Sequence, residues 1–196
     1  MNGILMNYST ALIIISLGAL LASIITRHSI WRWLIVAVVI LLSLIIPVVD
    51  SNIWLWINGA AGELSIVSMI LLSAFILRKM AVRDLILPST RIHLYIFILL
   101  AGILLYPATL GLMQFDPYAL GYSFELSMLL LSISILYWIF KQQQMAVILL
   151  ITVAVREAGI LNSLNTWDYL IDPLLWLFSP VLLVLLMLEK RRAAAS

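Results

Sequence analysis

The sequence predicts an all-α, polytopic membrane protein with seven transmembrane helices and no soluble domain. Three observations predict it. Hydrophobic residues make up 65% of the 196-residue chain and charged residues 10%, against roughly 25% charged in soluble domains. The apolar residues gather in runs near the ~20 needed to cross ~30 Å of hydrocarbon. Those runs are continuous, whereas a membrane β-strand alternates over about ten residues.

Each span is bounded by its own signals. The first, 9–25, stops at Arg27 and His28. It lacks a basic leading segment and a small-residue cleavage site, so it reads as a retained span. The second, 31–49, opens on Trp31, Arg32 and Trp33, an aromatic and basic interfacial entry. Pro47 lies near its end and Asp50 just beyond. From Ser51 to Asn58, Trp54 and Trp56 sit between polar ends, which suits an interfacial segment or a short re-entrant turn. Gly59 and Gly62 lead into span 60–77, which ends at Arg78 and Lys79. Arg83, Asp84, Pro88 and Arg91 form a polar connection.

Span 92–113 contains Pro107 and is followed by Asp116-Pro117, a turn signal. Span 119–140 ends at Lys141. Span 145–164 carries Arg156 and Glu157 side by side, a costly pair within an apolar run. Pro173 suits the first turn of the last span, 173–188, because its missing N–H would be unpaired there anyway.

Basic residues set the orientation. Ten of the eleven Lys and Arg residues fall in alternate connections and at the C-terminus: Arg27, Arg32, Arg78, Lys79, Arg83, Arg91, Lys141, Lys190, Arg191 and Arg192. The positive-inside rule then places the C-terminus in the cytoplasm and the N-terminus outside, as expected for an inner-membrane protein. The acids run the other way. Asp50, Glu63, Asp116, Glu125, Glu157, Asp168 and Asp172 fall on the outer half, with Arg156 as its single base.

Depths counted from the basic anchors nearly coincide. Glu63 lies 15 residues from Arg78, Glu125 lies 16 from Lys141, and Arg156 lies 15 from Lys141, each roughly 22–24 Å along a helix. Charges from separate spans therefore share one height, and Arg156 is expected to pair with Glu63 or Glu125. The matched triplets Glu63-Leu64-Ser65 and Glu125-Leu126-Ser127 suggest that spans 2–3 and 4–5 are related hairpins in parallel orientation. Tyr118, Tyr122, Tyr169 and Trp167 read as an outer aromatic belt, with Trp31, Trp33 and Trp138 as its inner partner. Gly102, Gly111, Gly121 and Gly159 read as sites of close helix approach.

Much chemistry is excluded. The chain has no cysteine, so thiolate catalysis and Cys metal sites are ruled out. His28 and His93 sit at the cytoplasmic ends, far from the acidic layer, which argues against a Ser-His-Asp site or a His metal site there. The last span has no lysine for a retinal Schiff base. There is no glycine-rich phosphate loop and no Gly-x-Ser-x-Gly motif. No cofactor, metal or nucleic-acid partner is expected.

The expected binding residues are Glu63, Glu125, Arg156, Glu157, Asp168 and Asp172. Ion pairs inside a membrane can serve only to hold helices together, but ionisable groups there default to function. The leading expectation is a transporter or ion-coupled carrier of a cationic or amine-bearing solute. Nearly level with it is an accessory subunit of a larger membrane complex, with a membrane-protein partner or a second copy. An intramembrane enzyme on a lipid or lipid-linked substrate at the outer leaflet ranks third. Membrane lipids are partners in every case.

Overall fold

The computed structural model describes residues 2–45, 47–48, 51–52, 56–57, 59 and 62–195. Helix accounts for 79% of it, so the all-α class stands. The helices are α1 (Asn2–Ile25), α2 (Ser29–Ile45), α3 (Ile66–Lys79), α4 (Pro88–Thr109), α5 (Phe124–Ile139), α6 (Gln143–Glu157), the short α7 (Thr166–Leu170) and α8 (Pro173–Ala195). A 3-10 turn covers Pro117–Tyr122. Pro47–Val48 and Ser51–Asn52 make a two-residue antiparallel pairing. Asp50 and Trp54 lie outside the described residues.

A helix occupies part of each of the seven apolar stretches. Among the described residues, three helical segments are long and apolar enough to cross a membrane: Tyr8–Ile25, Pro88–Thr109 and Pro173–Arg192. Ser29–Ile45 and Phe124–Ile139 are apolar but shorter. Span 3 starts later than expected, at Ile66, because residues 62–65 are not helical. Span 6 ends earlier, at Glu157 rather than Leu164. Gly159 there takes φ +60°, a left-handed conformation open to glycine and a common stop for a helix. Span 4 ends at Thr109 for a similar reason, with Gly111 at φ +75°. These two glycines therefore make turns, not the close helix approaches expected of them.

The chain divides into two compact units. The first comprises 1–64 and 68–85. In it α1 packs on α2 through small residues. Gly18 brings its backbone to Val36 and Val39, and Ala19 and Ala22 bury against Val36 and Met80. Arg32 closes this unit at its basic end. Its guanidinium donates to the Lys79 carbonyl at 2.7 Å and the Thr26 carbonyl at 3.0 Å, answering carbonyls that helix ends leave unpaired.

The second unit comprises 65–67 and 86–196. Here α4 packs along α8, and α5 along α6. Gln144, in the first turn of α6, accepts from Leu87 N at 2.9 Å and Thr90 Oγ1 at 3.1 Å. This sets the starts of α4 and α6 at one level. His93 of α4 meets Tyr137 of α5 edge-on at 6.0 Å, so the end of α5 lies there too. From that common level α4 runs for 22 residues, about 33 Å, and α6 for only 15, about 22 Å.

The α4–α8 seam depends on Gly102, as expected of a small residue. The Trp176 indole lies where a Cβ on Gly102 would stand, and it stacks on Tyr106 at 4.6 Å. Gly102→Ala should therefore destabilise the protein by about 1–3 kcal/mol through overpacking. The check is a lowered unfolding midpoint in detergent.

Candidate functional site

The shortfall of α6 beside α4 is filled by backbone that is mostly not helical. From Ala158 the chain turns at Gly159, runs irregularly to Asn165, makes the single turn of α7, and enters α8 at Pro173. The 3-10 turn at Pro117–Tyr122 packs against it. Irregular backbone leaves N–H and C=O groups that must be paired when buried.

Side chains of the segment meet that demand. Tyr169 is fully buried. Its hydroxyl accepts from Leu161 N at 3.1 Å, and its one proton is shared between the carbonyls of Ser163 at 3.0 Å and Leu161 at 3.2 Å. Asn165, also fully buried, caps α7 by accepting from Trp167 N at 2.9 Å. Its amide donates to the Tyr118 carbonyl at 2.9 Å. Trp167 donates its indole N–H to the Pro117 carbonyl at 2.8 Å. Gly121 makes room: a Cβ there would collide with Asn165 and Trp167. The tyrosine and tryptophan expected in an outer belt, Tyr169 and Trp167, are instead buried connectors. Tyr122 is exposed, as a belt residue would be.

Two carboxylates sit in this layer. Asp172 is buried. It caps α8 by accepting from Leu175 N at 2.9 Å, and it accepts from Ser65 N at 3.1 Å and Ser65 Oγ at 2.8 Å. A carboxylate at an N-cap also meets the positive end of the helix dipole. Asp168 is half-buried. It accepts from Tyr118 Oη at 3.0 and 3.2 Å and from Ser163 Oγ. Asn165 N in turn donates to Ser163 Oγ at 2.9 Å. Among the described residues Asp168 is thus answered by hydroxyls and by no cation. Burial, then the adjacent Asp168 charge, pushes the Tyr118 phenol above its ordinary range. It stays protonated and keeps donating. Tyr122 meets the Tyr118 ring edge-on at 5.7 Å, so an aromatic corner stands beside Asp168.

The other expected site residues lie elsewhere. Arg156 and Glu157 end α6 and pair with each other at 2.8 Å; Arg156 also reaches the Leu164 carbonyl at 3.4 Å. The pair is not partway along a helix, because the helix stops there. Its basic member suits the negative C-terminal end. Glu125 is exposed in the first turn of α5 and accepts from Ser123 Oγ at 3.0 Å. The expected Arg156–Glu125 pairing does not occur: each finds a partner within two residues along the chain. Glu63 is half-buried in the bend before α3 and belongs to the first unit. Asp116 is a local cap, accepting from Tyr118 N at 2.9 Å.

The matched triplets matter for their serines, not their glutamates. Ser65 and Ser127 are both fully buried. Ser65 binds Asp172, and Ser127 lies 3.4 Å from Thr166 Oγ1. Both serve the same segment. Tyr118, Ser163, Asn165 and Ser65 were missed as site residues. The available signal was the polar density of Asn162 to Tyr169 directly after Gly159.

Two outcomes test this arrangement. Asp172→Ala removes the acceptor of Ser65 N and Ser65 Oγ and the cap of α8, a lost buried acceptor costing about 1–3 kcal/mol, so the unfolding midpoint should fall more than for Asp172→Asn. Tyr118 has its folded pKa raised, so above about pH 10 the unfolded chain ionises first and binds fewer protons than the folded one. Stability should then fall with rising pH, with a smaller alkaline loss in Tyr118→Phe; alkaline unfolding curves of both proteins measure it. Comparison with known protein families, with curated proteins and with solved structures found no match to this chain.

Proposed function

We propose that the protein is a multi-pass inner-membrane carrier of a small cationic or amine-bearing solute, crossing seven times with its N-terminus outside. Asp168 is the residue that takes the positive charge. The observation that carries this reading is the state of its carboxylate: half-open, oriented by the Tyr118 and Ser163 hydroxyls, and met by no basic side chain among the described residues. A carboxylate so placed attracts a cation. The Tyr118–Tyr122 corner adds ring faces suited to an ammonium group. Hydroxyl donors that release the carboxylate when a cation arrives let it bind without becoming permanent, as transport demands.

Asp172 holds the site in place rather than taking solute, since its oxygens are committed to Ser65 and to the start of α8. Glu125 and Glu157 are exposed charges, and Arg156, half-buried, is paired with Glu157. The acidic outer half raises the local concentration of cations.

Amine uptake into vesicles reconstituted with the purified protein tests the reading. Asp168→Asn should lose about tenfold or more of the flux while remaining monodisperse, and Ser163→Ala should lose less. Glu189→Gln, at the far end of α8, should transport normally. Unchanged flux in Asp168→Asn would end the proposal.

A further inference from the structure

The basic end of the first unit carries charge that the chain leaves open. From 9 to 49 and from 64 to 85 the sequence holds Arg27, Arg32, Arg78, Lys79 and Arg83 against a single acid, Asp84. Arg32 draws these stretches together. Its guanidinium bonds the Thr26 carbonyl just past α1 and the Lys79 carbonyl at the end of α3, so the 26–28 connection is held against the turn that follows α3. Arg27, His28 and Arg83 are exposed, and Arg78 and Lys79 are half-buried. Among the described residues none of Arg27, Arg78, Lys79 and Arg83 meets a carboxylate. Lys79 rests over the Phe75 ring at 5.6 Å.

Arg32 also clears the way for an anion. Carbonyls at the ends of α1 and α3 carry partial negative charge and would repel one. A single guanidinium answers two of them. The other cations keep their charge for a group outside the chain. Gathered at one end they repel each other, and an anion among them relieves that repulsion.

Neighbouring side chains select the kind of anion. Ile30, Trp31 and Trp33, on either side of Arg32 in the first turns of α2, are 74%, 59% and 49% exposed. Tryptophan at the entry of a membrane helix sits at headgroup level. A free phosphate would use the cations alone. A phospholipid uses both: its phosphate meets the cations, and its glycerol and first acyl carbons lie a turn deeper, against the indoles.

We propose that this end of the first unit binds an anionic phospholipid, its phosphate held by Arg27, Arg78 and Lys79 and its chains resting on Trp31 and Trp33. The excess of positive charge favours an anionic headgroup over a zwitterionic one, whose own ammonium it repels. The inference rests on the membrane-spanning reading and not on amine transport.

The purified full-length protein in neutral detergent is titrated with dioleoyl phosphatidylglycerol, dioleoyl phosphatidylcholine and glycerol 3-phosphate, and the unfolding midpoint is followed. Phosphatidylglycerol should raise it by several degrees, and the other two should not. The double variant Arg27→Gln, Arg78→Gln should need at least about tenfold more phosphatidylglycerol for the same rise. The double variant Arg191→Gln, Arg192→Gln removes as much charge from the end of α8 and should respond as the unaltered protein does. Should the first variant fail to fold, Lys79→Gln carries the test, with a loss of about fivefold. Equal losses in the α8 variant mean diffuse attraction and overturn the proposal. Equal stabilisation by phosphatidylcholine overturns it too, and so does equal stabilisation by glycerol 3-phosphate, the mark of a soluble anion. Failure to insert into phospholipid vesicles sinks the membrane-spanning reading itself, a separate result.

Discussion

Backbone that leaves a helix amid apolar surroundings must find its hydrogen bonds inside the protein. That constraint organises the second unit. Between Ala158 and Asp172 the chain gives up most of its regular pairing, and no apolar neighbour can replace it. The replacements are Tyr169, Asn165, Trp167 and Asp172, each spending its polar atoms on main-chain groups. The solution is mutual. Those polar side chains would be expensive to bury unpaired, and the irregular backbone would be expensive without them. Asp168 differs from its neighbours because its partners are hydroxyls, which can turn away.

The reason such a segment exists lies in unequal helix lengths. Gln144 fixes α4 and α6 to a common starting level, and α4 then outruns α6 by seven residues, 22 against 15. The 158–172 segment and the 3-10 turn occupy the difference. A longer α6 would carry Asn165 and Asp168 out along a continuous helix, and their side chains would point in directions set by its pitch. Stopping at Glu157 is what lets one short stretch turn its polar groups inward.

Much of the helical layout was legible because apolar runs, basic stops and Pro173 are local signals. The site was legible in part. Asp168 and Asp172 stood out as acids near apolar chain. Their partners did not, because Gly159 has two meanings within an apolar run: close packing or a left-handed stop. Only the second frees Ser163 and Asn165 to fold back. The nearly equal spacing of Glu125 and Arg156 from Lys141 was read as equal height. Height alone does not bring side chains together; they must also face one another, and here each bonds locally. In the Glu-Leu-Ser triplets the charged residue drew notice, while the small hydroxyl made the tertiary contact.

The seating of Trp176 on the bare α-carbon of Gly102 has a mechanical consequence. An indole pressed against main chain acts as a key in a slot: sliding or turning α8 along α4 would drive the ring into backbone atoms that cannot yield. These two helices therefore behave as a stationary post. For the carrier cycle proposed above, the movement then falls to α5, α6 and the stretch they hold.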